Sequence, residues 1–310
     1  MRTDQVRKIA VHFQNGIGNW IMFTPSVQAL KSLYPNATMT VVLDSGWQDN
    51  RKNAIRELVG SLDVVDKVIE YPKQSVDGYD LYFANNWGEP CDTHRLFVEK
   101  GFKQRQPEWR TRLIHETEFY MEDVYALGYR GPMPKQHVSV AAMPVVKKNG
   151  MRIGLCNGYF KDSGRWNWKR KAWDKFPELA SVLKLYFDAE IVLFGNADEL
   201  EGVEGDIDYR GKLKITETAK AISQCDLMVS SDSGLMHVAD ALEVPLVAIF
   251  GATLCSKNGP IQTKNVVVRS PVACAPCQFT FVFRACSDFV CMRAIQVGDV
   301  MAAVRQLIKD

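Results

Sequence analysis

The stretch SSDSGLMHVADALEVPLVAIFGAT, residues 230–253, decides the fold of this chain. It follows an apolar run, residues 226–230, that is typical of a buried strand. Its loop residues, 231–234, are types that begin helices and line phosphate-binding loops. Apolar residues then recur at helical spacing, and residues 244–250 form a second apolar run before a glycine. The stretch therefore predicts a strand, a loop, a helix and a second parallel strand, with the buried helix face formed by Leu235, Val238, Ala239 and Leu242.

Two residues of this stretch are unexpected in a purely structural unit. His237 lies about 200° around the helix from Leu235, and so falls outside the apolar stripe. Asp232 stands where the N–H groups of a helix N-terminus favour an anion, and its carboxylate would repel a phosphate unless it binds another group. The alternative interpretation is that Asp232 merely caps the helix and that His237 is a surface residue.

The composition is that of a soluble globular protein, since 46% of the 310 residues are hydrophobic and 24% are charged. The length suits two α/β domains. A net charge of +2 argues against a protein that binds nucleic acid through bulk charge. The sequence has no apolar run of about 18 residues, and its N-terminus lacks the apolar core of a signal peptide. We therefore expect a cytoplasmic protein without a transmembrane helix.

Four of the eight cysteines are clustered near the C-terminus with the spacing C-x2-C-x8-C-x4-C. They are Cys274, Cys277, Cys286 and Cys291. A disulfide framework is not expected in the cytoplasm. Four thiolates at this spacing can form a closed tetrahedral site, which would hold a structural zinc or iron ion. Free buried thiols and disulfides are the alternatives.

The first part of the chain alternates predicted strands with loops and helices. The predicted elements are a strand at 8–13, a turn at 14–19, a helix at about 20–33 and strands at 37–43, 64–69 and 80–84. The glycines of the turn, Gly16 and Gly18, let the backbone approach a ligand closely. A tight turn that binds no ligand would need glycines as well.

Prolines, lysines and glycine between residues 131 and 150 mark the connection between two domains. We place the N-terminal domain at residues 1–147 and the C-terminal domain at residues 148–310. A strand at 151–156 begins the second domain, and a basic, aromatic loop follows it. Lys169 and Lys171 in this loop suit a diphosphate, because a lysine acts as a compact positive charge. A solvated basic loop is the alternative.

Three segments resemble glycosyltransferase family 9, the ADP-heptose:lipopolysaccharide heptosyltransferases. Residues 232–253 are similar to the family signature D-[ST]-G-x-x-H-x-A-x-A-x-x-x-P-x-x-x-x-[FY]-G-x-T. Residues 16–35 resemble the family segment G-D-x-[ILV]-x-x-T-P-A-L-x-x-L with its following Tyr-Pro. Lys171-Ala172-Trp173 matches the Lys-x-Trp that contacts the donor phosphate in the family.

The resemblance implies an α/β protein of the GT-B fold, in which two Rossmann-like domains face each other across a cleft. It implies an inverting enzyme that moves a sugar such as a heptose from a nucleotide-diphosphate donor such as ADP-heptose. The acceptor would be a lipopolysaccharide core or another glycan built at the inner face of the cell membrane, which leaves room for a peripheral membrane contact. No cofactor is implied for catalysis and no nucleic acid as partner. Some members of the family hold a metal at a similar cysteine pattern.

The resemblance also assigns roles to single residues. In the family the donor lies on the second domain, where an acidic residue often stands near the adenosine, and the resemblance implies that Asp198 or Glu199 could take that part. The first domain would present the acceptor along the Gly16 loop. The residues that we expect to bind the donor are Gly16, Gly18, Lys169, Lys171, Asp232, Ser233, Gly234, Leu235 and His237.

The chain departs from the family at Asn19, where the family has the aspartate held to be the general base. An amide has no useful basicity near pH 7 and cannot take the proton of the acceptor hydroxyl, although it can orient a substrate. Glu89, Asp92 and His94 lie after a predicted strand at the same edge and are candidates for a replacement base. We therefore take Asn19, Glu89 and Asp92 as the catalytic candidates.

Two further functions fit the same resemblance. The acceptor could be a protein, as in the autotransporter heptosyltransferases, which also carry clustered cysteines. Alternatively, Asn19 could mark a nucleotide-sugar binding protein without catalytic activity.

Overall fold

The computed structural model of the chain describes residues 5–44, 51–85, 91–103, 105, 111–147, 150–158 and 168–309. The chain divides into two compact units, Met1–Ser139 and Val140–Asp310. The domain boundary predicted after residue 147 falls shortly beyond this division. None of the helices in the described part has the length and apolar character that crossing a membrane requires.

The first unit contains a parallel sheet covered by helices. Its described strands are β1 (Lys8–His12), β2 (Thr38–Asp44), β3 (Lys67–Tyr71) and β4 (Leu81–Ala84). Its helices are α1 (Ile17–Leu33), α2 (Arg51–Gly60), α3 (Asp92–Glu99) and α4 (Glu116–Ala126). The strand order is β3-β2-β1-β4, and every pairing is parallel. The chain therefore extends the sheet to one side of β1 and then crosses to the other side.

The second unit contains a larger parallel sheet. Its described strands are β5 (Arg152–Cys156), β6 (Glu190–Phe194), β7 (Ile207–Asp208), β8 (Leu227–Ser231), β9 (Leu246–Phe250) and β10 (Asn265–Arg269). A 3-10 helix covers Trp168–Lys171, and the α-helices are α5 (Phe176–Phe187), α6 (Ile215–Ile222), α7 (Gly234–Ala241), α8 (Cys255–Asn258), α9 (Phe281–Ala285), α10 (Val290–Ala294) and α11 (Val297–Lys309). The order β10-β9-β8-β5-β6-β7 is that of the Rossmann fold.

The strands form where the sequence has short apolar runs, because a parallel sheet covered on both faces buries all of its side chains. Strands β5, β8 and β9 are buried at every position. In the first unit Phe23 of α1 stacks on Phe83 of β4 and meets the edge of the Tyr120 ring of α4. In the second unit Trp173 is fully buried and packs edge-on against Phe176. Each unit therefore has a core of its own beside its sheet.

Two sequence predictions about the helices were wrong in detail. Helix α1 begins at Ile17 rather than at Trp20, so that Pro25 lies in its interior. Proline cannot donate to the carbonyl four residues back, and the hydroxyl of Thr24 donates to that carbonyl, Ile21 O, at 2.7 Å. The predicted apolar stripe of α7 was also inaccurate, because Leu235 and Leu242 are half-buried while His237 and Asp240 are buried.

Candidate functional site

The strand order of the second unit reverses between β5 and β8, which pair in parallel from Ile153 with Leu227 to Cys156 with Ser230. Ligands of open α/β sheets bind in the crevice at such a reversal of strand order. The segment that contains Lys171 follows β5. The segment Asp232–Gly234 follows β8. The fold thus brings the two segments that the sequence assigned to the donor to one edge of the sheet.

The N-terminus of α7 is formed by Ser233 and Gly234. Ser233 is the N-cap residue, with extended backbone, and its hydroxyl accepts a hydrogen bond from the Met236 N–H at 3.3 Å. The hydroxyls of Ser230 and Ser233 lie 3.1 Å apart. The first N–H groups of a helix have no partner within the helix and carry partial positive charge. The arrangement suits the binding of a phosphate at the start of α7.

Asp232 forms an ion pair with Lys171. The Asp232 Oδ2 and Lys171 Nζ atoms are 2.8 Å apart, although their approach does not meet the angles of a hydrogen bond. Asp232 is 4% exposed, and the Lys171 ammonium also lies 4.8 Å from the centre of the Trp168 ring. Because Ser233 is the N-cap, the interpretation of Asp232 as a mere cap is wrong. Its carboxylate instead pairs with the lysine at the mouth of the loop.

The segment after Lys171 is fixed to the end of β5. Asn157 makes two hydrogen bonds with the backbone of Trp173, from its Nδ2 to the Trp173 carbonyl at 2.8 Å and from the Trp173 N–H to its Oδ1 at 2.9 Å. The indole N–H of Trp173 donates to the Ile295 carbonyl at 3.0 Å. These bonds fix the position of the backbone that carries Lys171. Lys169 lies in the same 3-10 helix and is exposed.

Two further polar residues are buried in this unit. His237 is 3% exposed, so the alternative that it is a surface residue is wrong. Glu199 is 4% exposed and accepts a hydrogen bond from the Asn196 Nδ2 at 2.6 Å, whereas Asp198 is exposed.

Two glycines make room for the Glu199 carboxylate. A Cβ at Gly195, whose φ is +129°, would lie 2.2 Å from the Glu199 Oε2, and a Cβ at Gly158 would lie 3.4 Å from it. The side chain of Ser233 borders Gly158 as well, since that Cβ would lie 3.1 Å from the Ser233 Cβ. Of the two acidic candidates, Glu199 is therefore the one beside the loops at the edge of the sheet.

The first unit has its own reversal of strand order, between β1 and β4. The loops after these strands are joined by Asn85, whose Oδ1 accepts from the Gln14 N–H at 3.1 Å and whose Nδ2 donates to the Gln14 carbonyl at 2.9 Å. Gly16 caps α1 in an extended conformation, and Gly18 is buried within the helix. The Gly16 N–H donates to the Asn19 Oδ1 at 3.2 Å. The roles of Gly16 and Gly18 toward the donor stay predictions.

Asn19 is bonded to a buried carboxylate that the sequence interpretation missed. Its Nδ2 donates to the Glu116 Oε1 at 2.7 Å, and the Tyr120 hydroxyl donates to the same oxygen. Glu116 and Tyr120 are both fully buried. Burial, followed by the neighbouring Glu116 carboxylate, raises the pKa of Tyr120 well above its usual value. Tyr120 is therefore a neutral hydroxyl that donates.

The proposed replacements for the base have different surroundings. Glu89 lies outside the described residues. Asp92 is the first residue of α3, where its side chain is 84% exposed and pairs with Arg95 at 3.0 Å. His94 is buried, and burial lowers its pKa. The sequence offered no signal for Glu116, because it lies 97 residues from Asn19 along the chain.

The four clustered cysteines line a common small cavity together with Arg170 and Phe289. All eight cysteines of the chain are free thiols. Burial, and then the neighbouring thiols, raise the pKa of Cys277 and of Cys291. Within the described residues, no set of three or more His, Cys, Asp or Glu side chains has the arrangement of a metal site. The four thiols share one cavity without the arrangement of a metal site, and the use of the cluster as a metal site stays a prediction.

The sequence of the second unit matches a known family. Residues 159–281 match the model of glycosyltransferase family 9 (heptosyltransferase). The chain is 27% identical over 180 residues to the lipooligosaccharide heptosyltransferase 2 of Campylobacter jejuni subsp. jejuni serotype O:6. That match covers 53% of the chain and 54% of the relative, so the chain spans about half the length of this relative. The predicted resemblance to glycosyltransferase family 9 is confirmed.

Solved structures share the fold over nearly the whole chain. A glycosyl transferase of family 9 from Veillonella parvula is 17% identical with a TM-score of 0.74, and the match covers 99% of this chain and 98% of that one. The Escherichia coli ADP-heptose LPS heptosyltransferase II is 19% identical with a TM-score of 0.71, covering 97% and 98%. The predicted fold class, an α/β protein of the GT-B type, is confirmed.

Proposed function

We propose that this chain, which resembles glycosyltransferase family 9, is an inverting glycosyltransferase. It would transfer a sugar, in the first place a heptose, from a nucleotide-diphosphate donor such as ADP-heptose to the hydroxyl of a glycan. The observation that carries this proposal is the edge of the second sheet, where Lys171, Asp232 and the N-terminus of α7 meet at the reversal of strand order. The family match and the name of the E. coli structure support the choice of donor.

The second unit would stabilise the leaving group. In the reaction the acceptor oxygen forms a bond to the anomeric carbon, and the bond from that carbon to the phosphate oxygen breaks. The diphosphate leaves with the electron pair, so negative charge grows on it. Helix N–H groups after Ser233 and the ammonium of Lys171 are positive groups held in place before the reaction, and they would favour this charge. Asp232, Leu235 and His237 would complete the donor site, with Lys169 at its exposed side.

The first unit would hold the acceptor. The proton of the attacking hydroxyl has to reach a base, and the amide of Asn19 cannot be that base. Asn19 would orient the hydroxyl by hydrogen bonds, while Glu89 or Asp92 would receive the proton. Both assignments rest on the place of these residues in the sequence, after the strand β4.

A glycan of the lipopolysaccharide core is the acceptor that the names of the relatives favour. Such an acceptor carries a lipid, and the enzyme would then work in the cytoplasm with a peripheral contact to the inner face of the membrane. A protein acceptor requires the same chemistry at the donor. Incubation with ADP-heptose and either a core oligosaccharide or a candidate protein would separate these acceptors by which one gains the mass of a heptose.

The cysteine cluster would hold one structural zinc or iron ion. The four thiols share one cavity, and thiolates are the donors that both metals prefer in closed structural sites. Elemental analysis of the purified protein should give about one metal ion per chain. The variant Cys277→Ser should lose that metal, whereas Cys225→Ser, at a buried cysteine outside the cluster, should retain it. A folded wild-type protein that contains no metal would refute the site.

A nucleotide-sugar binding protein without transfer activity is the second candidate, and Asn19 is the observation that favours it. Transfer assays decide between the two. The enzyme should form a product with one added sugar, which mass spectrometry detects. NMR should show that the anomeric configuration of this sugar is inverted. Lys171→Ala should abolish most of this product, and Lys184→Ala, at a partly exposed lysine paired with Asp206, serves as the control. Selective donor binding without any product would support the binding protein, and retention of configuration would contradict the mechanism.

A further inference from the structure

We propose that Glu116 is a positioning residue of the acceptor side, which holds the Asn19 amide in one orientation toward the acceptor hydroxyl. The proposal rests on the proposed function. Its basis is the set of hydrogen bonds that ties α1 to α4 through the side chains of Asn19, Glu116 and Tyr120. The sequence patterns assigned no role to Glu116 or Tyr120.

The orientation of the Asn19 side chain follows from its two partners. Its Oδ1 accepts from the backbone N–H of Gly16, and its Nδ2 donates to the carboxylate of Glu116. A flipped amide would place the NH2 group against the Gly16 N–H and the oxygen against the carboxylate, which pairs donor with donor and acceptor with acceptor. A buried polar group left in that state costs free energy. The carboxylate therefore selects one of the two amide orientations.

The selected orientation leaves Asn19 able to bind a hydroxyl. An amide oxygen has two lone pairs, and an amide NH2 group has two hydrogens. The Gly16 N–H uses one lone pair of the Asn19 Oδ1, and the Glu116 carboxylate uses one hydrogen of its Nδ2. The second lone pair of the Asn19 Oδ1 can accept a hydrogen bond from the hydroxyl of the sugar acceptor. This bond would hold the attacking oxygen with one of its own lone pairs in a fixed direction. Because Asn19 is half-buried while Glu116 is fully buried, Glu116 acts through Asn19.

Glu116 is itself fixed by α4. The Tyr120 hydroxyl, one helical turn along α4, donates to the same Oε1 that accepts from Asn19. Tyr120 stays neutral, since burial raises its pKa, and it can serve as a constant donor. A carboxylate oxygen accepts both bonds without a change of protonation.

The same geometry predicts what an aspartate at position 19 would meet. Its carboxylate would lie where the Asn19 Nδ2 is now, 2.7 Å from the Glu116 Oε1. Two carboxylates this close repel each other or share a proton. We therefore expect that the change from asparagine to the family's aspartate succeeds in this chain only together with the loss of the Glu116 charge.

Four variants test the inference with ADP-heptose and a core oligosaccharide. Glu116→Ala should lower kcat about 10–100-fold, because a misplaced reacting group costs up to roughly 10²-fold, while the affinity for ADP stays as in the wild type. Asn19→Asp alone should also lower kcat. The double variant Asn19→Asp with Glu116→Gln should be faster than Asn19→Asp, since the introduced glutamine amide can donate to the new carboxylate. Glu122→Gln, at an α4 carboxylate that pairs with Arg105 and Arg112, is the control and should keep its kcat.

The outcomes separate this inference from the proposed function. If the wild type transfers no sugar, the proposed function fails, and NMR of the Asn19 side-chain amide still tests Glu116. That amide should show two well-separated hydrogens in the wild type and in Glu122→Gln, and its resonances should shift clearly in Glu116→Gln. An Asn19 resonance that is the same in Glu116→Gln as in the wild type would overturn the inference. So would an Asn19→Asp variant that is as fast as the double variant, because a purely structural Glu116 predicts no such coupling.

Discussion

The two units carry two different polar pairings at the same position of a parallel sheet. In each unit a loop leaves the strand where the order reverses and leads into a helix, α1 in the first and α7 in the second. In the second unit the loop carboxylate of Asp232 pairs with an ammonium group, Lys171. In the first unit the loop side chain is the amide of Asn19, and it pairs with a carboxylate, Glu116.

This difference fits the two ligands that we propose, a diphosphate and an acceptor hydroxyl. A diphosphate carries negative charge, and the second unit offers it a helix N-terminus together with a lysine. A hydroxyl is neutral and has to be oriented, and the first unit offers it an amide whose orientation is fixed. The pairing of the loop residue, rather than the fold around it, therefore distinguishes the two sites.

The largest expected effect comes from removing the anchor of the Lys171 segment. Trp173→Ala deletes a fully buried indole and should lower the free energy of unfolding of the second unit by about 3–5 kcal/mol. Nucleotide binding should be lost with it. Trp173→Phe keeps most of the ring and loses the bond to the Ile295 carbonyl, so it should cost about 1–3 kcal/mol. Urea denaturation measures both, and equal costs for the two variants would contradict the role of the indole ring.

The next effect separates the two sites directly. Lys171→Ala should weaken ADP binding about 10–100-fold, the range expected for a charge-assisted contact of about 1.5–3 kcal/mol. Asn19→Ala should leave ADP affinity within about twofold, because the bonds of Asn19 join it to Gly16 and Glu116 of the first unit. Isothermal titration with ADP measures both. A loss of ADP affinity in Asn19→Ala would mean that the first unit also binds the nucleotide.

The ion pair between Asp232 and Lys171 is tested by a double-mutant cycle. Asp232→Ala should weaken ADP binding by less than Lys171→Ala, about tenfold, because the lysine remains and loses only its anchor. If Asp232 acts through Lys171, the double variant should bind no more weakly than Lys171→Ala alone. Additive losses in the same titrations would show that Asp232 contacts the nucleotide independently, and unchanged affinity in Asp232→Ala would remove this residue from the site.

The smallest effect concerns carboxylates away from both sites. Hydrogen bonds from Lys73 and Lys52 lower the pKa of Glu70 in the first unit to about 2, from 4.5. A lowered pKa stabilises the fold above the unfolded value, and this contribution disappears as pH falls from 4.5 through about 2. Glu70→Gln should therefore be about 0.2–1 kcal/mol less stable than the wild type at pH 7, with a difference that shrinks in acid.

Asp208 is the matching residue of the second unit, because its hydrogen bond with Arg210 lowers its pKa to about 2. Asp208→Asn should also be less stable than the wild type at pH 7. The loss of stability should be smaller than in Glu70→Gln, since the Asp208 carboxylate is more exposed than that of Glu70. Thermal melts between pH 2 and pH 7 compare the pair. A stability difference between wild type and either variant that grows as the pH falls would contradict the predicted pH dependence.

Much of the fold could be predicted from the sequence, because buried parallel strands appear as short apolar runs. Strand β9 and the start of α7 lie where the stretch from 230 to 253 predicts them. The meeting of Lys171 and Asp232 at one edge of the sheet could also be predicted, since each lies in a segment that follows such a run. Lys171 and Asp232 each belong to a local pattern, in which a strand is followed directly by its own loop.

The rest depended on residues that are distant along the chain. Glu116 meets Asn19 only because α4 packs beside α1, and nothing in the spacing of the sequence signals this contact. The choice of Glu199 over Asp198 depends on the space left by Gly195 and Gly158. His237 was placed outside the apolar stripe of its helix and is buried, because burial of α7 extends beyond its apolar residues.

The donor site at α7 is tested most directly by a thermal melt of the wild type and of Lys171→Ala with ADP, UDP, GDP and ADP-heptose in turn. A ligand that binds the folded state alone adds roughly 2.7 kcal/mol at about 100 times its dissociation constant. We predict that ADP and ADP-heptose raise the melting temperature of the wild type, and that the rise is much smaller in Lys171→Ala. If no nucleotide shifts the wild type, the donor site at α7 is wrong.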